Sequence, residues 1–197
     1  MNEALPQIYV VRHGETAWSL SGQHTGHTDL ALTKAGEQAA QELSTRLHGL
    51  RFAKVFTSPL QRARRTAELA GFGESAEADP DLMEWDYGTY EGRRTVDIQA
   101  ERPGWGLFEH GCPGGETLQD LATRADRVIA RVRALERDVL IFAHREILRI
   151  LIARWIALPA LEARRIYLET SSVSILRYDH GLDEPVIYLL NDVRRAK

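Results

Sequence analysis

The run VLIFA at Val139–Ala143 is the feature that most constrains how this chain can fold. Five consecutive apolar residues without polar alternation predict a strand that is buried on both faces, as in the interior of a parallel sheet. A second apolar run, IYVV at residues 8–11, has the same character. Amphipathic segments separate such runs along the chain, so the sequence predicts an α/β layer fold with a largely parallel sheet.

The segments between the apolar runs have helical periodicity. Thr33 is expected to begin a helix with one apolar face, and LQRARRTAELA predicts a second helix after the strand candidate KVFTSP. Further helices are predicted from Thr117 to about Arg137 and from about Glu146 to Ala157. SVSILRYD and PVIYLLN predict two closing strands. The apolar face of the first helix is predicted to consist of Ala35, Ala39, Leu43 and Leu47.

Residues 79–116 differ from the rest, because they are rich in Gly, Pro and Trp and show weak periodicity. We expect this stretch to form a lid-like excursion, with a short helix around Val96, within a single domain spanning residues 1–197. A length of 197 residues is sufficient to bury a substantial core.

Composition excludes several classes of protein. A net charge of −3 gives no overall attraction for nucleic acid or for an anionic membrane. The amino terminus lacks the pattern of a signal peptide, and no apolar stretch is long enough to span a bilayer. Cys112 is the only cysteine, which excludes an intramolecular disulfide and a cysteine-based zinc cluster. We therefore expect a cytoplasmic protein, and we leave open whether it forms a homodimer.

Two apolar strands end in histidine, in VVRH and in IFAH. Parallel sheets bind ligands beyond the carboxyl ends of their strands, so His13 and His144 are expected at one edge, facing one crevice. Arg12 adds a planar set of donors suited to phosphate or carboxylate. Among the arginines that follow the next strand, Arg62 is the best candidate for the crevice because it lies in the first turn of the helix. A solvated helix face remains the alternative for this arginine cluster.

Five motifs occur in the order seen in the histidine phosphatase superfamily, also called phosphoglycerate mutase-like: RHGET, TGHTDLALTKAG, TSPLQRARRTA, LMEWDYGTYEG and IFAH. The chain resembles this family over nearly its whole length. The resemblance implies a mixed, mostly parallel sheet with helices on both faces. It also implies that His13 is the nucleophile that becomes phosphorylated, that Arg12, Arg62 and His144 bind the transferring phosphoryl group, and that Glu84 is the acid-base residue.

The chemistry of these residue types agrees with the resemblance. A neutral imidazole can attack phosphorus and then pass the phosphoryl group to water. Arginine and histidine donors can stabilise the charge on the equatorial oxygens, and a carboxylic acid can protonate the leaving alkoxide. We therefore expect a metal-independent acid-type histidine phosphatase that needs no cofactor and acts on small phosphorylated metabolites, such as sugar phosphates or bisphosphates.

The chain departs from the family pattern at two positions. Ser19 lies where many members have asparagine, and Arg145 follows the second histidine where glycine is common. Arg145 is expected either to bind a second anionic group of the substrate or to pair on the surface with Glu146 or Glu169. The candidate substrate-binding residues are Ser19, Thr25, Gly26, Tyr87 and Arg145.

Other enzyme classes fit the sequence less well. Cys112 lacks the arginine that a cysteine phosphatase requires six residues later, and DPDLM does not follow an apolar strand as an aspartyl phosphatase motif would. HTGHTD at residues 24–29 lacks a third strong metal ligand. A phosphoglycerate mutase and a catalytically weak regulatory relative remain alternatives. The chain looks most like the phosphatase branch related to fungal sedoheptulose-bisphosphatase.

Overall fold

The computed structural model describes residues 5–193, which form one six-stranded sheet with helices around it. Along the sheet the strand order is β3-β2-β4-β1-β5-β6. The strands are β1 (Ile8–Arg12), β2 (Lys54–Thr57), β3 (Ala76–Ala78), β4 (Val139–Ala143), β5 (Val173–Tyr178) and β6 (Pro185–Asp192).

The sheet is mixed. Strands β3, β2, β4 and β1 are parallel to their neighbours, whereas β5 pairs antiparallel with β1 and β6 pairs antiparallel with β5. This confirms the mixed, mostly parallel sheet that the sequence predicts. Strand β4 lies between β2 and β1, which explains why its sequence is apolar without alternation.

Helices cover both faces of the sheet. The helices are α1 (Ala17–Ser21), α2 (Lys34–Arg46), α3 (Gln61–Leu69), α4 (Thr95–Glu101), α5 (Leu107–His110), α6 (Leu118–Leu135) and α7 (Arg145–Trp155). Ile141 of β4 belongs to the core that contains α6 and α7, whereas Leu140 and Phe142 belong to the core that contains Leu43 of α2. In the described part of the chain, no helix is long and apolar enough to cross a membrane.

Helix α2 begins after Thr33 as predicted, and the Thr33 hydroxyl accepts a hydrogen bond from the N–H of Gly36. The predicted apolar face is wrong in its first half, because Ala35 is exposed and Ala39 is only partly buried. The buried positions are Gly36, Ala40 and Leu43. A Cβ atom on Gly36 would lie 2.3 Å from the carbonyl oxygen of Glu15, so only glycine lets the helix pack this closely.

Residues 79–116 form a packed arm that contains the predicted helix around Val96, observed as α4. Trp85 and Trp105 are buried, and the Trp85 indole donates a hydrogen bond to the carbonyl of Glu116. Sequence periodicity missed the short elements α1, α5 and β3, since three to five residues are too few to establish a period. The lid role of this arm stays a prediction.

Candidate active site

The carboxyl ends of β1 and β4 bring two histidines together. The strands are adjacent and parallel, with Arg12 opposite Ala143, and the backbone N–H of His13 donates to the carbonyl of Ala143 at 2.9 Å. The ring centroids of His13 and His144 are 5.1 Å apart. The juxtaposition expected from the two strand ends is therefore present.

His13 is held as a neutral imidazole. Its Nδ1 lies 2.7 Å from the carbonyl oxygen of Gly14, which can only accept, so Nδ1 carries the proton and Nε2 keeps its lone pair. Burial, followed by the charges of Arg62 and Arg12, holds the pKa of His13 well below its ordinary value. A neutral ring with a free lone pair is the state a nucleophile requires.

His144 is held in the opposite tautomer. The Nε–H of Arg62 donates to Nδ1 of His144 at 3.0 Å, so the ring proton is on Nε2, which lies 2.7 Å from the Ser58 hydroxyl. Burial and then the Arg62 charge keep the pKa of His144 well below its ordinary value. The ring is fully buried and can serve as a neutral donor.

Arg62 connects the site to the loop that follows α1. Its terminal nitrogens donate to the carbonyls of Thr25, Gly26 and Thr28 at 2.7–3.2 Å. The whole residue is buried, whereas Arg64 and Arg65 are exposed, and Arg65 pairs with Glu37 on the outer surface. Of the three arginines of this helix, the structure thus brings the predicted one to the histidines.

Arg12 lies beside His13 on the open side of the site. One terminal nitrogen donates to the carbonyl of Leu168 at 2.7 Å, and Nε has no hydrogen-bond partner among the described residues. Burial, assisted by the nearby charge of Arg145, lowers the pKa of Arg12 to about 10. A partly buried guanidinium with an unused donor is suited to an incoming anion.

Glu84 lies at the amino-terminal end of α7. Its carboxylate accepts backbone N–H groups from Trp85, Glu146 and Ile147 at 3.0–3.1 Å. Burial and then the charge of Glu146 raise the pKa of Glu84, and the backbone hydrogen bonds oppose that rise. A carboxyl group with a raised pKa keeps its proton to a higher pH than a free carboxyl group and can give it to a leaving oxygen.

These groups surround a cavity of about 110 Å³. Arg12, His13 and Glu84 line it, whereas Arg62 and His144 lie beneath its surface. The predicted substrate-binding residues that line it are Ser19, Thr25, Tyr87 and Arg145. Gly26 does not, because its N–H donates to Glu91 and its carbonyl accepts from Arg62. The predicted contact of Gly26 with substrate stays a prediction.

Ser19 reaches the cavity but its hydroxyl is engaged locally. It accepts the N–H of Thr16 at 2.9 Å and lies 3.0 Å from the Thr16 carbonyl, in the capping box that begins α1. A substrate would therefore compete with this cap for the hydroxyl.

Sequence reasoning missed part of the cavity wall, namely Trp18, His24, Thr95 and Glu146. The ring of His24 lies 4.7 Å from that of Tyr87 and 5.7 Å from that of Trp105. His24 belongs to the segment HTGHTD, and no sequence signal links it to the arm at residues 79–116. Glu146 follows Arg145 in the sequence. The departure of Arg145 from the family pattern was therefore a signal that could have drawn attention to Glu146.

Arg145 is the first residue of α7 and lies at the cavity mouth. Its guanidinium lies 5.4 Å from the Tyr167 ring, and its Nε is 3.6 Å from a carboxylate oxygen of Glu146, which is beyond hydrogen-bond distance. The side chain is 41% exposed. The expected pairing with Glu146 and the expected position at the mouth are therefore both present.

Comparison with known proteins gives one family. The model described as "Histidine phosphatase superfamily (branch 1)" matches residues 8–193. An acid phosphatase of Mycobacterium tuberculosis is 42% identical, over 89% of this chain and 88% of its own length. The sedoheptulose 1,7-bisphosphatase of Saccharomyces cerevisiae is 38% identical, over 80% of this chain and 70% of its own length.

A third relative carries a different name. "Probable phosphoglycerate mutase GpmB" of Erwinia tasmaniensis is 35% identical, over 88% of this chain and 85% of its own length. Among solved structures, the product of an open reading frame from Mycobacterium tuberculosis superposes with a TM-score of 0.89 at 37% identity, covering 94% of this chain and 97% of that one. This chain is therefore similar to these proteins in both sequence and fold.

Proposed function

Because the chain belongs to branch 1 of the histidine phosphatase superfamily, we propose that it hydrolyses phosphomonoesters of small metabolites through a phosphohistidine at His13. The observation that carries this assignment is the state of His13: its Nδ1 proton is fixed on Gly14, and the ring lines the cavity beside Arg12. The lone pair of Nε2 is therefore available to attack phosphorus.

In the first step, Nε2 of His13 forms a bond to phosphorus and the bond from phosphorus to the ester oxygen breaks. The leaving oxygen takes the proton of the Glu84 carboxyl group and departs as an alcohol. Arg12, with its unused Nε–H, stabilises the charge on the phosphoryl oxygens, and the buried charge of Arg62 adds to this. His144 contributes its Nε2–H once that group exchanges Ser58 for a phosphoryl oxygen.

In the second step, a water molecule attacks phosphorus and gives its proton to the Glu84 carboxylate. The bond between phosphorus and Nε2 breaks, the electron pair returns to the imidazole, and inorganic phosphate leaves. The site is then in its starting state. Arginine and histidine supply the stabilising donors, so we propose that neither step requires a metal ion.

The substrates we propose are phosphorylated sugars, with bisphosphates among them. The similarity to a sedoheptulose 1,7-bisphosphatase supports this class. So does Arg145, since a half-exposed guanidinium at the mouth of the cavity can bind a second phosphate while the first lies beside His13. Ser19, Thr25 and Tyr87 are the further residues that we propose contact the sugar.

The similarity to GpmB favours phosphoglycerate mutase activity as a second candidate. The two activities differ in what accepts the phosphoryl group of His13, which is water in a phosphatase and a phosphoglycerate in a mutase. Incubation with 3-phosphoglycerate separates them, because a phosphatase releases inorganic phosphate and a mutase yields the 2-phospho isomer.

Trapping of the intermediate tests the assignment. Brief incubation with a ³²P-labelled sugar phosphate should give protein-bound label that is labile in acid and stable in base, and His13→Ala should abolish it together with turnover. Label that persists in His13→Ala would place the nucleophile elsewhere. Phosphate release should persist in excess chelator, and a loss that Mg²⁺ restores would contradict the metal-free steps.

A further inference from the structure

Glu146 is a second carboxylate at the active-site cavity, and the reaction described above does not use it. It lines the cavity together with Glu84, and each of the two residues is only 4% exposed. A buried carboxylate costs considerable free energy unless it is paired, so its presence needs a reason.

Arg149 forms a buried ion pair with Glu146. A terminal nitrogen of Arg149 donates to one carboxylate oxygen of Glu146 at 2.6 Å. The other nitrogens of Arg149 donate to the carbonyls of Ala163 and Arg164, and its guanidinium lies 4.7 Å from the Phe108 ring. Because Arg149 is fixed on these sides, the carboxylate of Glu146 is held in place as well.

Several neighbours of Glu84 favour its ionised form, which cannot donate a proton. Three backbone N–H groups at the start of α7 donate to its carboxylate, and such bonds favour the anion. Most charged groups near Glu84 are cations, which also favour the anion. A permanently ionised Glu84 could not protonate a leaving oxygen.

The charged and titratable groups that surround Glu84 come from several elements. Arg12 and His13 lie at the end of β1, and Arg62 lies on α3. Tyr87 and His24 lie on the cavity wall, and Arg124 of α6 contacts the Glu84 carbonyl at 3.4 Å. Arg145 and Glu146 come from α7, and Glu146 is the carboxylate of this set.

We propose that Glu146 is a positioning residue whose fixed negative charge keeps Glu84 able to hold the proton that the leaving group takes. The inference rests on the proposed function, since it concerns the same site. Its electrostatic basis is that, after burial, the charge of Glu146 is the largest influence that raises the pKa of Glu84. In this proposal Glu146 acts through Glu84.

The test is the pH dependence of kcat/KM, measured with β-glycerophosphate and with p-nitrophenyl phosphate. In Glu146→Gln the side chain keeps its shape and an oxygen for Arg149 but loses its charge, so Glu84 becomes more acidic. The limb on which β-glycerophosphate activity falls with rising pH should move down by about one unit. At pH values above this fall, kcat/KM of Glu146→Gln for β-glycerophosphate should be about ten-fold lower than that of the unmodified enzyme. The kcat/KM for p-nitrophenyl phosphate should change little, because its leaving group needs little protonation.

Two variants serve as controls. Glu146→Asp retains the charge and should leave the limb close to its original position. Glu162→Gln removes a partly exposed carboxylate that pairs with Arg165, and it should leave kcat/KM for both substrates unchanged. The proposal would be overturned if kcat/KM of Glu146→Gln for β-glycerophosphate fell at the same pH as in the unmodified enzyme. It would also be overturned if kcat/KM decreased by the same factor for both phosphates.

Direct titration of the Glu84 carboxyl group by ¹³C NMR removes the dependence on turnover. Glu84→Gln identifies the signal, and its midpoint should be lower in Glu146→Gln than in the unmodified protein. Labelling of His13 separates the two proposals. If the unmodified enzyme shows no ³²P label on His13, the proposed function is contradicted. If the label is present but the titration midpoint of Glu84 is the same in Glu146→Gln as in the unmodified protein, only the role of Glu146 is contradicted.

Discussion

The floor of the active site and its rim are built in different ways. The floor consists of the buried residues His13, Arg62 and His144 and the partly buried Arg12, all at or near strand ends. The rim consists of Ser19, His24, Thr95 and Arg145, which come from loops and from the first turns of helices and are partly buried or exposed. The buried Tyr87 lies beside them on the cavity wall. Floor side chains are held by hydrogen bonds in set tautomers and directions, whereas Arg145 on the rim is half-exposed and has an unpartnered Nε.

This difference suggests how enzymes of one fold can share a reaction and act on different substrates. A buried polar group must find partners, so each floor residue depends on several others, and replacing any one leaves groups unsatisfied. A rim side chain in water loses little when it is replaced. We therefore expect the reaction to depend on the floor, and discrimination between substrates to depend on the rim.

The largest effect is expected from breaking the floor at Arg62. Lysine keeps the charge but cannot donate at once to His144 and to the loop carbonyls of Thr25, Gly26 and Thr28. Arg62→Lys should lower kcat/KM by about a hundred- to a thousand-fold, as for the loss of a preorganised donor, and by the same factor for sugar phosphates and aryl phosphates.

Arg64→Lys is the matched control, since Arg64 lies on the same helix and is exposed. Its kcat/KM should stay close to that of the unmodified enzyme. Loss in Arg62→Lys that is confined to one substrate would show that Arg62 belongs functionally to the rim.

A smaller effect is expected on the rim at Arg145. Arg145→Gly restores the common family residue and removes the proposed contact with a second phosphate, a charge-assisted interaction that would be worth about 1.5–3 kcal/mol. The ratio of kcat/KM for a sugar bisphosphate to that for the matching monophosphate should fall by about ten- to a hundred-fold, with little change for the monophosphate. An unchanged ratio would mean that Arg145 does not bind a second phosphate, and a uniform rise would mean that it crowds the site.

The smallest effect concerns stability and not rate. The pKa values of His13 and His144 are lowered by burial and by Arg62, so both rings stay neutral in the folded state while the unfolded chain takes up protons below about pH 6.5. The two neutral rings make their full contribution to the free energy of unfolding above that pH. This contribution is lost as the pH falls towards the pKa values that the two histidines have in the folded protein. Urea unfolding between pH 8 and 5 should show this decline.

Variants of two histidines sharpen the comparison in the same experiment. His13→Gln on the floor should reduce the slope of unfolding free energy against pH. His24→Gln on the rim should reduce it less, because Glu146 partly offsets the lowering of the His24 pKa by burial. An equal effect of both variants would remove the distinction between floor and rim for these groups.

The sequence by itself determined the floor and the framework that holds it. Apolar runs predict β1 and β4, and their terminal histidines predict a shared edge, because a parallel sheet places the carboxyl ends of its strands side by side. The resemblance of the motifs around Arg12, Arg62, Glu84 and His144 to the family predicted the remaining groups of the site. Local patterns suffice here because strand burial and helix capping depend on neighbouring residues.

The tertiary structure alone decided the tautomers and the rim. The proton positions of His13 and His144 follow from contacts with Gly14, Arg62 and Ser58, and the last two of these contacts span 82 and 86 residues of sequence. His24 reaches the cavity because the arm at residues 79–116 folds against its loop, with the N–H of His24 bonded to the carbonyl of Arg93. Contacts of this kind depend on how distant segments pack, and no local periodicity records them.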